Sequence, residues 1–170
     1  MDISIIGGSD GPTSIFLAGK VGFSWVNTFG LVMVVLLLIP NIIYGFKFRN
    51  VKNQCRNSAM NMLEQIGRYG CMFLMVFNTG ILEYSFSSIG MLLLYIVGSI
   101  VLMAVYWVIW MLFFYKQDSW KRLVLTVIPA VLFLLSGIAL RHILLIILAV
   151  IFGTGHIYVT KANITAAEQI

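Results

Sequence analysis

The chain has 170 residues, of which 61% are hydrophobic and only 10% charged, with a formal net charge of +5. Soluble domains carry about 25% charged residues, so this composition cannot clothe a water-facing surface, and the mean hydropathy of +1.00 makes the bilayer the solvent. The positive charge is therefore no nucleic-acid footprint. It belongs to basic connectors retained on the cytoplasmic side of a membrane.

The first element, residues 1–27, reads as a glycine-rich broken segment, re-entrant or interfacial. Its centre is IIGGSDGPTSIFL. Gly7, Gly8 and Gly11 relax the backbone, and Pro12 suits the first turn of a helix continuing through TSIFLAGK. Asp10 then sits just before that helix, near its positive end. The apolar arms are too short for an ordinary span. Asp2 in place of a basic leader, and the Gly-Pro interruption, set the segment apart from a secretory signal. The hydroxyls of Ser9, Thr13 and Ser14 and unwound carbonyls surround one carboxylate, which is the oxygen chemistry of a monovalent-cation site in a broken helix. The competing reading is an aspartate capping a short interfacial helix, with Gly7 and Gly11 serving close contact during assembly.

Five windows then approach the roughly 20 apolar residues a span requires: Thr28–Phe46, Leu63–Leu82, Ile89–Tyr115, Trp120–Ser136 and Ile138–Thr160. The last two are separated by little, but a single helix over 123–159 would be about 55 Å long at 1.5 Å per residue, far beyond a hydrocarbon core of about 30 Å. A tight turn at Ser136-Gly137 is expected instead, with Gly137 closing the helix in the left-handed conformation. The fold class is thus all-α: a polytopic integral membrane protein with about five transmembrane helices over 28–160 and a cytoplasmic tail over 161–170.

Orientation follows from Lys and Arg. Lys47, Arg49, Lys52 and Arg56 fill the first connector, and Lys116, Lys121 and Arg122 the third, whereas the second has none. This alternation places the first and third connectors and the carboxyl terminus in the cytoplasm of a multi-pass cell-membrane protein, with the amino terminus outside. Tyr115 and Trp120 on one side, and Trp25 and Tyr84 on the other, are the expected interfacial anchors. Cys55 and Cys71 are expected to be reduced.

Charged and polar side chains at bilayer depth each need a partner or a task. Glu64 and Arg68 stand four apart in the order that favours a helical ion pair. Pro40 should bend the first span, with Asn41 bonding freed backbone or a neighbouring helix. Arg141 and His142 open the fifth span, where arginine can snorkel. His156, beside Gly153 and Gly155, reads as a packing residue ahead of a proton relay. Tyr106, Trp107, Trp110 and Phe114 form a stripe at helical spacing that reads as core or lipid contact. No nucleophile elbow, zinc-protease, P-loop or dinucleotide motif is present, and no intrinsic cofactor is indicated.

GGSDGPTSI, residues 7–15, closely resembles a signature of the β subunits of sodium-ion-translocating decarboxylases, the oxaloacetate, methylmalonyl-CoA and glutaconyl-CoA pumps, with Ser9 where the family has alanine. The resemblance implies that Asp10 takes part in Na⁺ binding and proton exchange, with Ser9, Thr13 and Ser14 as neighbours and Gly7, Gly8, Gly11 and Pro12 as the structural frame. It implies Na⁺ as the ligand and carboxybiotin supplied by another chain, since no Met-Lys biotin-attachment sequence is present. No second SDGPT-like segment follows, so other membrane subunits or a homo-oligomer would complete the site. The expected function is a small membrane protein related to sodium-ion transport, not an enzyme on its own. The alternative is a structural or regulatory membrane protein without an ion site. Membrane lipid is the expected partner in either case, and nucleic acid in neither.

Overall fold

The computed structural model describes residues 25–48, 53–82, 84 and 86–168. The GGSDGPTSI motif, with Asp10 and its neighbours, lies outside the described residues, as do Arg49 and Lys52. The described chain forms five α-helices: α1 Thr28–Lys47, α2 Ser58–Val76, α3 Ile89–Tyr115, α4 Ser119–Ala139 and α5 Ile143–Glu168. There is no strand among the described residues beyond one isolated antiparallel bridge, Val26 with Phe77. Four helices, α1, α3, α4 and α5, are long and apolar enough to cross a membrane.

Helix starts are set by side chains that satisfy the otherwise orphaned first-turn amides. Asn27 caps α1 by accepting from Gly30 N at 3.0 Å, Asn57 caps α2 by accepting from Met60 N at 3.2 Å, and Ser88 caps α3 by accepting from Met91 N at 3.3 Å. The Asn57 cap corrects the expected second span. Hydropathy put it at Leu63–Leu82, but the helix starts at Ser58 and ends at Val76. Beyond Val76 the backbone turns outward to meet the residues that precede α1: Asn27 N donates to Val76 O at 2.8 Å and Asn78 N to Trp25 O at 3.0 Å. Gly80 follows with φ 69°, which ends any helical continuation.

The turn between α4 and α5 also lies later than expected. Gly137 stays helical, and Arg141 takes the left-handed conformation, φ 52°. Gly137 is needed for closeness instead: a Cβ there would stand 2.8 Å from Ile146 Cγ1 and 3.1 Å from Ile146 N. Arg141 places its guanidinium over the Tyr84 ring at 5.5 Å. His142 is 1% exposed, and its carbonyl accepts from Ile146 N at 3.1 Å, opening α5. The helix runs on past Thr160 to Glu168.

The α3–α4 connector closes through a lysine clamp. Buried Lys121 donates from Nζ to Lys116 O at 2.9 Å and Leu112 O at 3.2 Å, so it satisfies carbonyls at the negative end of α3. The same Nζ lies 2.8 Å from Asp118 Oδ2. The Lys121 bond holds the Asp118 carboxyl below the usual carboxylate range. A depressed native pKa contributes stability that is present above the unfolded value and lost as pH falls through the native one, so the clamp is intact at neutral pH and loosens only in acid.

Helix α5 is the hub, packed along α2 on one side and α4 on the other, while α3 lies against α4 and α1 leans on α2 and α3. The core runs through Leu37, Met75, Tyr106, Leu132, Leu145 and Phe152. The α2–α5 seam is close because glycines line it: a Cβ on Gly67 would fall 2.7 Å from Phe152 Cα, and one on Gly155 would fall 2.9 Å from Glu64 N. Small residues at a seam allow backbones to approach when no water is available to drive association. On its other face α2 exposes Met62, Ile66, Tyr69 and Phe73, an apolar stripe at helical spacing. Its charged Glu64 is instead buried, 5% exposed.

Candidate functional site: a charge cluster behind a polar cavity

Glu64 is the focus of the bundle's interior charge. Arg68, one turn along α2, pairs with Glu64 Oε1. From α5, His156 brings Nδ1 to within 2.8 Å of the same oxygen. The His156 ring stacks on Phe152, centroids 4.9 Å apart and planes inclined by 19°, so it is held by packing as well as by the carboxylate. The local Glu64–Arg68 pair was readable from its spacing. The His156 contact, across 92 positions of sequence, was not. Its only signal is the run of small residues, Gly67, Gly70 and Gly155, that lets the two backbones close up.

His156 also lines a cavity of about 500 Å³ that lies between α1, α3, α4 and α5 at the end where α2 begins. One wall is aromatic, formed by Tyr44, Trp110 and Phe113. These rings pack on one another, with Trp110 edge-on to Phe113 at 5.6 Å and Tyr44 at 5.6 Å from Trp110. The expected aromatic stripe on α3 thus divides: Tyr106 and Trp110 are buried, and Trp110 faces the cavity.

Another part of the lining is polar: Arg122 and Thr126 from α4, and His156, Thr160 and Asn163 from α5. Thr126 Oγ1 donates to Arg122 O at 2.8 Å, which uses its one proton. In the 2.9 Å contact between Thr126 and Thr160 the donor is therefore Thr160. Both hydroxyls are spent as donors within the wall. Asn163 accepts from Gln54 N at 2.7 Å through Oδ1, which ties the first connector to α5 and leaves the amide NH₂ as its remaining polar group. Arg122 Nη2 reaches Gln117 at 3.4 Å and its guanidinium lies 5.9 Å from the Phe113 ring. Its Nε is buried without a hydrogen-bond partner.

Asn41 borders the same cavity. It bonds both backbone and neighbouring helix: Nδ2 donates to Leu37 O and to Tyr106 Oη, each at 2.7 Å. Tyr106 Oη in turn donates to Leu37 O at 3.3 Å, so the turn of α1 weakened by Pro40 is braced against α3. Tyr106→Phe is expected to lower stability by about 1 kcal/mol, the net worth of a buried hydrogen bond, with the helix count unchanged. Thermal unfolding beside far-UV circular dichroism reads both.

Among the described residues no group of three or more His, Cys, Asp or Glu side chains is placed to hold a metal ion. Cys55 and Cys71 are buried and free.

Among the described residues these elements form an all-helical protein with four helices long and apolar enough to cross a membrane, and a Glu64–Arg68–His156 cluster set behind a half-aromatic, half-polar cavity. No protein-family model matches the chain, and no curated protein or solved structure matches it either.

Proposed function

We propose that this chain is a multi-pass membrane protein that binds a small solute in the cavity between α1, α3, α4 and α5. The carrying observation is that His156 serves two structures at once. It forms part of the cavity wall, and behind that wall it is bonded to Glu64. A solute touching the ring therefore acts on the seam between α2 and α5. Such concave sites, mostly apolar with a few convergent polar groups, are where small molecules bind. The outward stripe of α2 supports a fifth element within the bilayer. Its carboxylate, Glu64, is buried and paired with Arg68, which is how charged groups are carried at membrane depth. With the basic connectors in the cytoplasm, the cavity opens on the cytoplasmic side.

The test is solvent access. In a background with Cys55 and Cys71 replaced by serine, Thr160→Cys should react with a small water-soluble methanethiosulfonate much faster than Ser136→Cys, which lies fully buried in α4. Equal, slow reaction at both positions would remove the cavity as a binding site.

A second reading rests on GGSDGPTSI alone: a sodium-linked membrane protein with a partial cation site around Asp10, Ser9, Thr13 and Ser14. It predicts that Na⁺ raises the melting temperature relative to N-methyl-D-glucamine at constant ionic strength, and that Asp10→Asn abolishes the difference. Identical melting of the wild type in the two cations would leave the motif an assembly element.

A further inference from the structure

The cavity's own donors and charges say which solutes suit it, and we infer that it takes an organic anion: a carboxylate or phosphate head on an aromatic or branched apolar body. This deepens the solute-binding reading and rests on it. The charge argument comes from an asymmetry among the lining residues. Among the described residues, a guanidinium, Arg122, and an imidazole, His156, line the cavity, and no carboxylate does. Glu64 lies behind His156 and is engaged by Arg68 and His156.

The hydrogen-bond argument is independent of net charge. Thr160 donates to Thr126 and Thr126 to the Arg122 carbonyl, so neither hydroxyl has a proton for a ligand. The donors left on this wall are Arg122, the Asn163 amide and, when the imidazole is protonated, His156 Nε2. Arg122 lines the cavity, and its guanidinium is held by a long 3.4 Å bond from Nη2 to Gln117, so Nη donors remain for a ligand. A carboxylate or phosphate oxygen is the acceptor whose geometry suits a guanidinium. Beside this head site, Tyr44, Trp110 and Phe113 present ring surface that would cover an apolar body. The same head-and-body chemistry could arrive as a free aromatic acid or as an anionic lipid.

The experiment uses three probes with one body: 3-phenylpropionate, 3-phenylpropanol and 3-phenylpropylamine. Thermal unfolding of the full chain is followed in phosphatidylcholine nanodiscs and in phosphatidylglycerol nanodiscs. In phosphatidylcholine the acid should raise the melting temperature by about 2–4 °C at concentrations well above its dissociation constant, and the alcohol and the amine should not. Arg122→Gln should weaken acid binding at least about tenfold, as loss of a charge-assisted pair does, while Arg122→Lys keeps part of it. Thr160→Phe, which fills the cavity, should abolish the response. If phosphatidylglycerol alone raises stability in the wild type but not in Arg122→Gln, and blunts the acid's effect, the anion comes from lipid. If the acid acts equally in both discs, it is a free solute. Equal responses to all three probes, all lost in Thr160→Phe, would overturn the anion preference and leave the cavity. An acid response that survives in both Arg122→Gln and Thr160→Phe would place binding elsewhere and overturn the inference, as would no response to the acid in either disc.

Discussion

Replacing Gly67 by leucine is expected to separate α2 from α5 and to abolish cooperative unfolding of the bundle. The cause is geometric. A Cβ at this position would stand 2.7 Å from Phe152 Cα and N and 2.8 Å from its Cβ, and main chain cannot rotate aside as a side chain can. Even alanine should cost about 1–3 kcal/mol, the usual price of overpacking, and leucine considerably more because its branches have no space to enter. Two glycine controls separate this from a general effect of adding side chains. Gly70 would meet first the tip of the Leu148 side chain, so Gly70→Ala should be mild. Gly45 would meet nothing within 4 Å, and Gly45→Leu should leave stability unchanged or raise it by up to about 1 kcal/mol through helix propensity. Melting in lipid nanodiscs, with near-ultraviolet circular dichroism for tertiary packing, gives the ranking. Wild-type melting of Gly67→Leu would sink the close-seam account.

The second large effect belongs to Glu64. Glu64→Ala removes the shared acceptor of Arg68 and His156 and leaves two donors facing a gap between α2 and α5. Removing one partner of a fully buried ion pair costs about 3–5 kcal/mol. Arg68 is 36% and His156 21% exposed, so solvent screens part of the loss, and about 1–3 kcal/mol is expected. Glu64→Gln keeps a carbonyl acceptor at nearly the same place and should fall between wild type and alanine. An order in which glutamine is as damaging as alanine would show that the charge matters and the hydrogen bonds do not. An alanine variant as stable as the wild type would show that the cluster holds nothing together.

Elements were legible in the sequence where polar residues bounded an apolar run, and others were not. The expected third span, Ile89–Tyr115, coincides with α3, and the first begins at Thr28 as α1 does, because their apolar runs are bounded by polar residues that also cap or close them. Hydropathy misplaced α2 because it registers apolar content and cannot register Asn57, whose side chain starts the helix five residues before the first expected position, Leu63. It also chose Gly137 over Arg141 for the α4–α5 turn. Glycine is the usual left-handed residue, but here close packing against Ile146 holds Gly137 in the helix. For the site, the spacing of Glu64 and Arg68 was sufficient. The cavity was not legible: Thr126, Thr160 and Asn163 are isolated polar residues in apolar helices, and only the packing of α4 on α5 brings them to one wall.

The backbone bridge between Val26 and Phe77 has a bearing on how the two ends of the molecule communicate. It fastens the residues just ahead of α1 to the end of α2 remote from the cavity. Asn27 sits at that fastening and Asn41 at the cavity's rim, on the same helix and about 20 Å apart at 1.5 Å per residue. Helix α1 thus joins the fastening at Asn27 to the cavity's rim, where Asn41 is held against α3 by Tyr106. Were a solute in the cavity to displace this helix, the displacement would reach the fastening, and by thermodynamic reciprocity a ligand at the fastening would alter affinity at the rim by the same factor.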